Sequence, residues 1–244
     1  MERRTTAWFS RNLNVEMPLV AYGHAGYPLL MFPTAAADYL EYERFHLVDS
    51  IRPFIESGQI RAYSINSVNR YSLLNEQMPA PLKALLLTQY DRYIMEEVLP
   101  LIHRDTGQDD VRPLTTGASL GAFLAANTYF KHPDQFRGTI AMSGSYDIKT
   151  YLHDYYDDHV FFNNPLDYLP GLNDDYFLPL LRQADAIVIL SGQGAFEAPE
   201  RSRQLSETLH AKGIPHTLDI WGYDVNHDWP WWRKMLPHWL GRLL

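Results

Sequence analysis

Residues 115–123 read TTGASLGAF, which sets Ser119 between Gly117 and Gly121 in the spacing G-x-S-x-G. Such a serine could attack a carbonyl carbon and carry an acyl group. Its hydroxyl is a weak nucleophile until a base takes the proton, and the base needs an acid to hold its tautomer. The charge that develops on the carbonyl oxygen needs backbone N–H groups aimed at it. The same five residues also fit a small serine in an ordinary β-to-α turn. A nucleophile therefore requires the rest of the chain to supply a base, an acid and an oxyanion site.

The flanks of Ser119 have the required pattern. VRPLTTG (111–117) predicts a buried strand entering the turn, and Leu120, Phe123, Leu124, Asn127 and Thr128 recur at helical spacing behind it. Gly117 and Gly121 would relieve crowding where the chain reverses and the helix lies on neighbouring strands. One known order for the remaining members is serine, acid, histidine, with the histidine after the last strand. His227 has that position, in the loop between HTLDIW (216–221) and a last helix predicted from about Trp229–Trp232 to the C-terminus. His238 falls inside that helix, while His210 and His216 flank a helix end and a strand start; all three suit structural roles. The competing use of His227 is loop hydrogen bonding to the nearby aspartates.

The acid should follow the strand AIVILSG (186–192), where no aspartate occurs. Glu197 is the choice, just before a helix that Pro199 can open and Gly213 can close. Glu200 would sit in that helix's first turn, where a carboxylate also meets the helix dipole favourably. Asp224 is a third option. For the oxyanion, one N–H is expected from Leu120. The other is expected from the loop after YPLLMF (27–32), where Pro33 has none, so Thr34 comes first and Ala35 second.

Short apolar runs alternate with helical patterns along the whole chain. TTAWFS and MPLVAYG predict an opening antiparallel pair, and YPLLMF, IRAYSIN (60–66), VRPLTTG, RGTIAMSG (137–144), AIVILSG and HTLDIW predict buried strands of a parallel sheet. Leu82, Leu85, Leu86, Tyr90, Tyr93, Ile94, Val98, Leu101 and Ile102 form one apolar helical stripe. The expected fold is α/β: a doubly wound, mostly parallel sheet with helices on both faces, one domain spanning 1–244. Residues 145–184 break the alternation with aromatics, Asp and Asn and predict a small cap-like insertion. Its Tyr155, Tyr156, Phe161 and Phe162 are candidates either for pocket walls or for core.

Composition narrows the partners. The chain has 244 residues and a net charge of −8 with no Lys/Arg-rich block, which argues against nucleic acid and anionic membrane. With no cysteine, there is no thiol nucleophile, disulfide or Cys-ligated zinc. The start, MERRTTAWFSRNLN, lacks the apolar run of a signal peptide, and no stretch approaches the ~20 residues of a membrane span. A cytoplasmic protein acting on a small-molecule ester, without a cofactor, is expected; a homo-oligomer stays open.

In these pieces the chain resembles the putative esterase family of α/β-hydrolases, the group that contains esterase D and the mycolyltransferases. The resemblance rests on FPTAAADYLEYE, GASLGAFLAANTYFKHPDQFRGTIAMSGSYD, FFNNPLDYLP and NHDWPWWRKMLPHWL and covers nearly the whole chain. It implies an α/β-hydrolase fold, a Ser/acid/His triad and carboxylic ester substrates. The expected activity is ester hydrolysis through an acyl-enzyme on Ser119, with His227 and Glu197 completing the triad. The same group includes acyltransferases, so acyl transfer is one alternative. A non-catalytic binding module on the same scaffold is another, since fold does not fix function. A metal hydrolase is suggested only by HDYYDDH (153–159), whose His153, Asp157, Asp158 and His159 lack any established ligand spacing, and no metal is expected.

Overall fold

The computed structural model describes residues 1–244. Eight strands form one sheet: β1 (Arg3–Ser10), β2 (Val15–Tyr22), β3 (Tyr27–Phe32), β4 (Ile60–Ile65), β5 (Leu114–Ala118), β6 (Gly138–Met142), β7 (Ala186–Ser191) and β8 (Thr217–Ile220). Their order across the sheet is β1-β2-β4-β3-β5-β6-β7-β8. β1 and β2 are antiparallel, β2 meets β4 antiparallel, and every pairing from β4 to β8 is parallel. This is an α/β-hydrolase fold. All eight predicted strands are present. β5 starts three residues later than expected, at Leu114, because Pro113 has no N–H for a central ladder.

Period-two alternation divides the core between the two faces of the sheet. Leu30 and Phe32 of β3, with Ile187 and Ile189 of β7, belong to one apolar cluster with the helices Ala80–Tyr93 and Leu120–Lys131. Leu29, Met31, Val188 and Leu190 face the other way, against the short helices of 41–56 and the last helix, Trp229–Leu243. The apolar stripe predicted from Leu82 to Ile102 is one helical run from Ala80 to Thr106, with a π-helical turn at Ile94–Val98. The helix opened by Pro199 runs to Ala211, and Gly213 follows it at φ +64°.

The insertion is mostly helical, with short helices at Asp158–Phe161, Pro165–Gly171 and Phe177–Arg182. It is bound to the body by polar contacts: Asn163 Nδ2 donates to Thr88 Oγ1 at 3.0 Å, and Tyr168 OH donates to Asn127 Oδ1 at 3.1 Å. The HDYYDDH run has structural work there. Asp157 caps its helix by accepting from Val160 N at 2.9 Å and also accepts from Tyr155 OH at 2.6 Å. His159 Nδ1 lies 3.0 Å from Thr88 Oγ1. Nowhere does the fold bring three His, Asp or Glu side chains together in a ligating arrangement. No helix is long and apolar enough to cross a membrane.

Candidate active site

Parallel strands deliver three successive chain ends to one rim of the sheet, where open α/β sheets build their sites. Ser119 follows β5 and its N–H donates to Met142 O of β6 at 2.9 Å; Ser143 follows β6 and its N–H donates to Leu190 O of β7 at 2.7 Å. Ser119 caps the helix Leu120–Lys131 with φ 56° and ψ −123°, in a region that L-residues rarely adopt. The glycines on either side make that turn sterically open. A Cβ on Gly117 would stand 2.2 Å from Gly121 O, and one on Gly121 would stand 2.2 Å from Phe32 O. Both contacts are with backbone, which cannot swing away.

The second half of the site comes from two loops closed on each other. Gly194 N donates to Val225 O at 2.8 Å, Ala195 N to Asn226 Oδ1 at 2.7 Å, and His227 N to Ala195 O at 3.0 Å. This lacing sets Glu197 beside His227, with Glu197 Oε2 3.6 Å from Nδ1. The Glu197 side chain is 1% exposed and the His227 side chain 24%. Glu200 and Asp224 are both exposed, and neither reaches His227. Of the three carboxylates weighed from the sequence, the structure brings Glu197 to the ring.

Glu197 is held on both oxygens. Ser143 Oγ donates to Oε1 at 2.6 Å and Ser191 Oγ to Oε2 at 3.1 Å, while Trp232 Nε1 donates to Ser143 Oγ at 3.0 Å. Burial pushes the Glu197 carboxyl up, but the His227 ring and the Ser143 hydroxyl outweigh it and hold the group below its ordinary value. Trp232 also meets the His227 ring edge to face at 5.1 Å. Ser143, Ser191 and Trp232 were not singled out in the sequence. The signal for the two serines was their position at the ends of β6 and β7; Trp232 had only its closeness to His227 in the chain.

Ser119, Leu120 and His227 line one pocket of about 170 Å³, together with Ser145, Tyr151 and Arg201. Ser119 and His227 thus share one pocket. Leu120 is the first residue of its helix, so its N–H has no intrahelical acceptor.

In the loop after β3, Thr34 is turned towards Glu41. Its N–H donates to Glu41 Oε2 at 2.8 Å and its Oγ1 to Glu41 Oε1 at 2.5 Å. That N–H is already committed and cannot also face an oxyanion. Burial pushes the Glu41 carboxyl up, against the hydrogen bonds from Thr34. Asn69 fixes the same loop, accepting from Ala36 N at 2.8 Å and donating to Thr34 O at 3.1 Å. Between these anchors the Ala35 N–H is left without a partner. Tyr42, fully buried, ties the loop to the elbow: its hydroxyl donates to Phe32 O and accepts from Ala118 N at 3.1 Å.

Tyr155, Tyr156, Phe161 and Phe162 of the insertion lie elsewhere. Phe161 and Phe162 line a separate open groove with Phe130 and Phe177; Tyr155 packs on the core, and Tyr156 is half exposed. From the insertion it is Ser145 and Tyr151 that reach the Ser119 pocket.

The putative esterase family model matches residues 84–243, two thirds of the chain, from the long helical run to the last helix. Among solved structures, a ferulic acid esterase is similar at 20% identity, with a TM-score of 0.75 over 99% of this chain and 97% of its own. An S-formylglutathione hydrolase from Staphylococcus aureus has 15% identity and a TM-score of 0.69 over 99% and 98%. MPT51 from Mycobacterium tuberculosis has 15% identity and a TM-score of 0.69 over 100% and 98%. A comparison with curated protein sequences finds no match.

Proposed function

The chain belongs to the putative esterase family and is a carboxylic ester hydrolase, and from that premise we propose that it works through an acyl-enzyme on Ser119, as one domain spanning 1–244. His227 takes the proton from Ser119 Oγ as the oxygen attacks the ester carbonyl. Glu197 accepts from His227 Nδ1–H, holds that tautomer and stabilises the imidazolium as it forms. The N–H groups of Leu120 and Ala35 bind the oxyanion. Collapse of the tetrahedral intermediate expels the alcohol, protonated by His227. Water activated by the same ring then releases the acid and restores Ser119.

The observation that carries this reading is the hydrogen-bonded chain from Trp232 through Ser143 to Glu197, whose Oε2 lies 3.6 Å from the imidazole that shares a pocket with Ser119. The Glu197 carboxyl, held below its ordinary value despite burial by the ring and the Ser143 hydroxyl, supports the same reading. The test is turnover of 4-nitrophenyl acetate together with labelling by a fluorophosphonate. Wild type should turn over the ester and be labelled at Ser119, and Ser119→Ala should do neither. Wild-type protein inert in both assays would overturn the reading in favour of a binding module.

A further inference from the structure

The charge in the pocket points to a narrower substrate class. Half of the sixteen arginines pair with a carboxylate, as Arg44 does with Asp38, Arg52 with Asp49 and Arg61 with Asp105, and Arg201 is among the half that do not. Arg201, in the first turn of the helix Pro199–Ala211, has no carboxylate partner, and it lines the pocket that holds Ser119 and His227. No acidic side chain lines that pocket, in a chain whose net charge is −8. Glu197, the nearest carboxylate to the chemistry, lies behind His227 and is occupied by two serine hydroxyls and the ring.

Two further donors face the same space. Tyr151 and Ser145 line the pocket, and neither hydroxyl makes a hydrogen bond within the protein. Tyr151 is held in place from behind: the buried Lys83 donates through Nζ to Tyr151 O and to Leu73 O, each at 3.1 Å. A guanidinium fork with two hydroxyls beside it matches a carboxylate, whose oxygens accept and cannot donate. A neutral aliphatic ester would leave all three donors without a use and would place apolar surface against them.

We propose that Arg201 is a specificity-determining residue and that the preferred substrates are esters carrying a carboxylate within a few bonds of the scissile carbonyl. This stands on the ester-hydrolysis reading above. The carboxylate sits at Arg201, with Tyr151 and Ser145 as flanking donors, while the carbonyl faces Ser119. Part of the binding free energy then orients the carbonyl for attack.

Two matched pairs of esters test this and locate the carboxylate. On the acyl side, mono-4-nitrophenyl adipate is compared with 4-nitrophenyl hexanoate. On the alcohol side, 4-acetoxybenzoate is compared with 4-acetoxybenzamide. The readout is the ratio of kcat/KM, anionic over neutral. Wild type should give a ratio of about tenfold or more in one pair, falling as salt is raised, as expected for a charge-assisted contact at a partly exposed site. Arg201→Gln should bring that ratio to near one, Arg201→Lys should keep part of it, and Arg201→Glu should invert it. A general loss of folding lowers both members of a pair and leaves the ratio intact, and fluorophosphonate labelling of Arg201→Gln reports an assembled site. A wild-type ratio near one in both pairs, or the same ratio in Arg201→Gln, would overturn the proposal and leave ester hydrolysis standing. No turnover of any of the four esters, with no labelling, would overturn both.

Discussion

Glu197→Gln separates charge from geometry at the centre of the site. Ser143 makes the shorter bond to Glu197 and sets how the new amide sits, while Ser191 can turn its hydroxyl to Gly192 O and accept from the NH₂. One lone pair of the Ser143 oxygen is occupied by Trp232 Nε1 at 3.0 Å, and its hydrogen goes to Glu197 Oε1 at 2.6 Å. Keeping that bond puts the amide oxygen at the Oε1 place and the NH₂ at the Oε2 place, 3.6 Å from His227 Nδ1. Two donors would then face each other, so the ring keeps its proton on Nε2 and cannot accept one from Ser119. The lost charge adds to this. At the 3.6 Å separation a pair of unit charges is worth about 4.6 kcal/mol at an effective dielectric of about 20, and about 1.2 kcal/mol in bulk water. Because the His227 side chain is 24% exposed, a value between these limits applies. The charge alone then accounts for roughly 10²-fold in kcat, and the tautomer raises the total to about 10³-fold. The assay is steady-state hydrolysis of 4-nitrophenyl acetate, with active sites counted by fluorophosphonate titration. Ser143→Ala/Glu197→Gln frees the amide to rotate, turns its oxygen to Nδ1, and should recover about tenfold of the loss. A Glu197→Gln variant within threefold of wild type, matched by Glu200→Gln, would refute the assignment and move the acid to Asp224. A double variant no faster than the single one would refute the tautomer argument.

Ser119→Gly should lose all labelling yet unfold at higher urea, by about 1 kcal/mol, because φ 56° strains a serine and not a glycine. Gly121→Ala should cost about 3 kcal/mol or more in the same measurement, since its Cβ would stand 2.2 Å from Phe32 O; Gly171→Ala, with nothing within 4 Å of the new atom, should cost far less. Glu41→Ala releases the Thr34 N–H and loosens the loop that presents Ala35; kcat should fall about tenfold with KM little changed, a smaller loss than deleting an oxyanion donor outright. Glu197 has its carboxyl held below the ordinary 4.5, so the stability it contributes is complete above that pH and is lost as pH falls through the lower folded value. Urea unfolding of wild type and Glu197→Gln at pH 6 and about pH 3 should show the wild-type advantage shrinking at the acid end.

What the sequence determines here is whatever depends on near neighbours. The crowding at Gly117 and Gly121 is a contact between residues four apart and with the adjoining strand, so their spacing around Ser119 announces the turn directly. Strand and helix periodicities place Ser119 after β5 and His227 after β8, because apolar alternation and helical recurrence are written in consecutive residues. The chain order of Ser119, Glu197 and His227 is legible for the same reason. Hydrogen-bond commitments made across elements are different. Glu197, Glu200 and Asp224 are all carboxylates near the right place in the chain, and only the lacing of the 194–197 loop to 225–227 buries one of them against the imidazole. Thr34 has the better position in sequence for an oxyanion donor, yet Glu41, folded back from the next helix, takes its N–H and leaves Ala35 free. Ser143 and Trp232 stand 89 residues apart and meet beside Glu197, where Trp232 donates to Ser143 and Ser143 to the carboxylate, and Arg201 lines the Ser119 pocket from the first turn of its helix. Which donors are spent and which are left over is decided by the surroundings of each group, and those surroundings exist only once the sheet has brought its strand ends together.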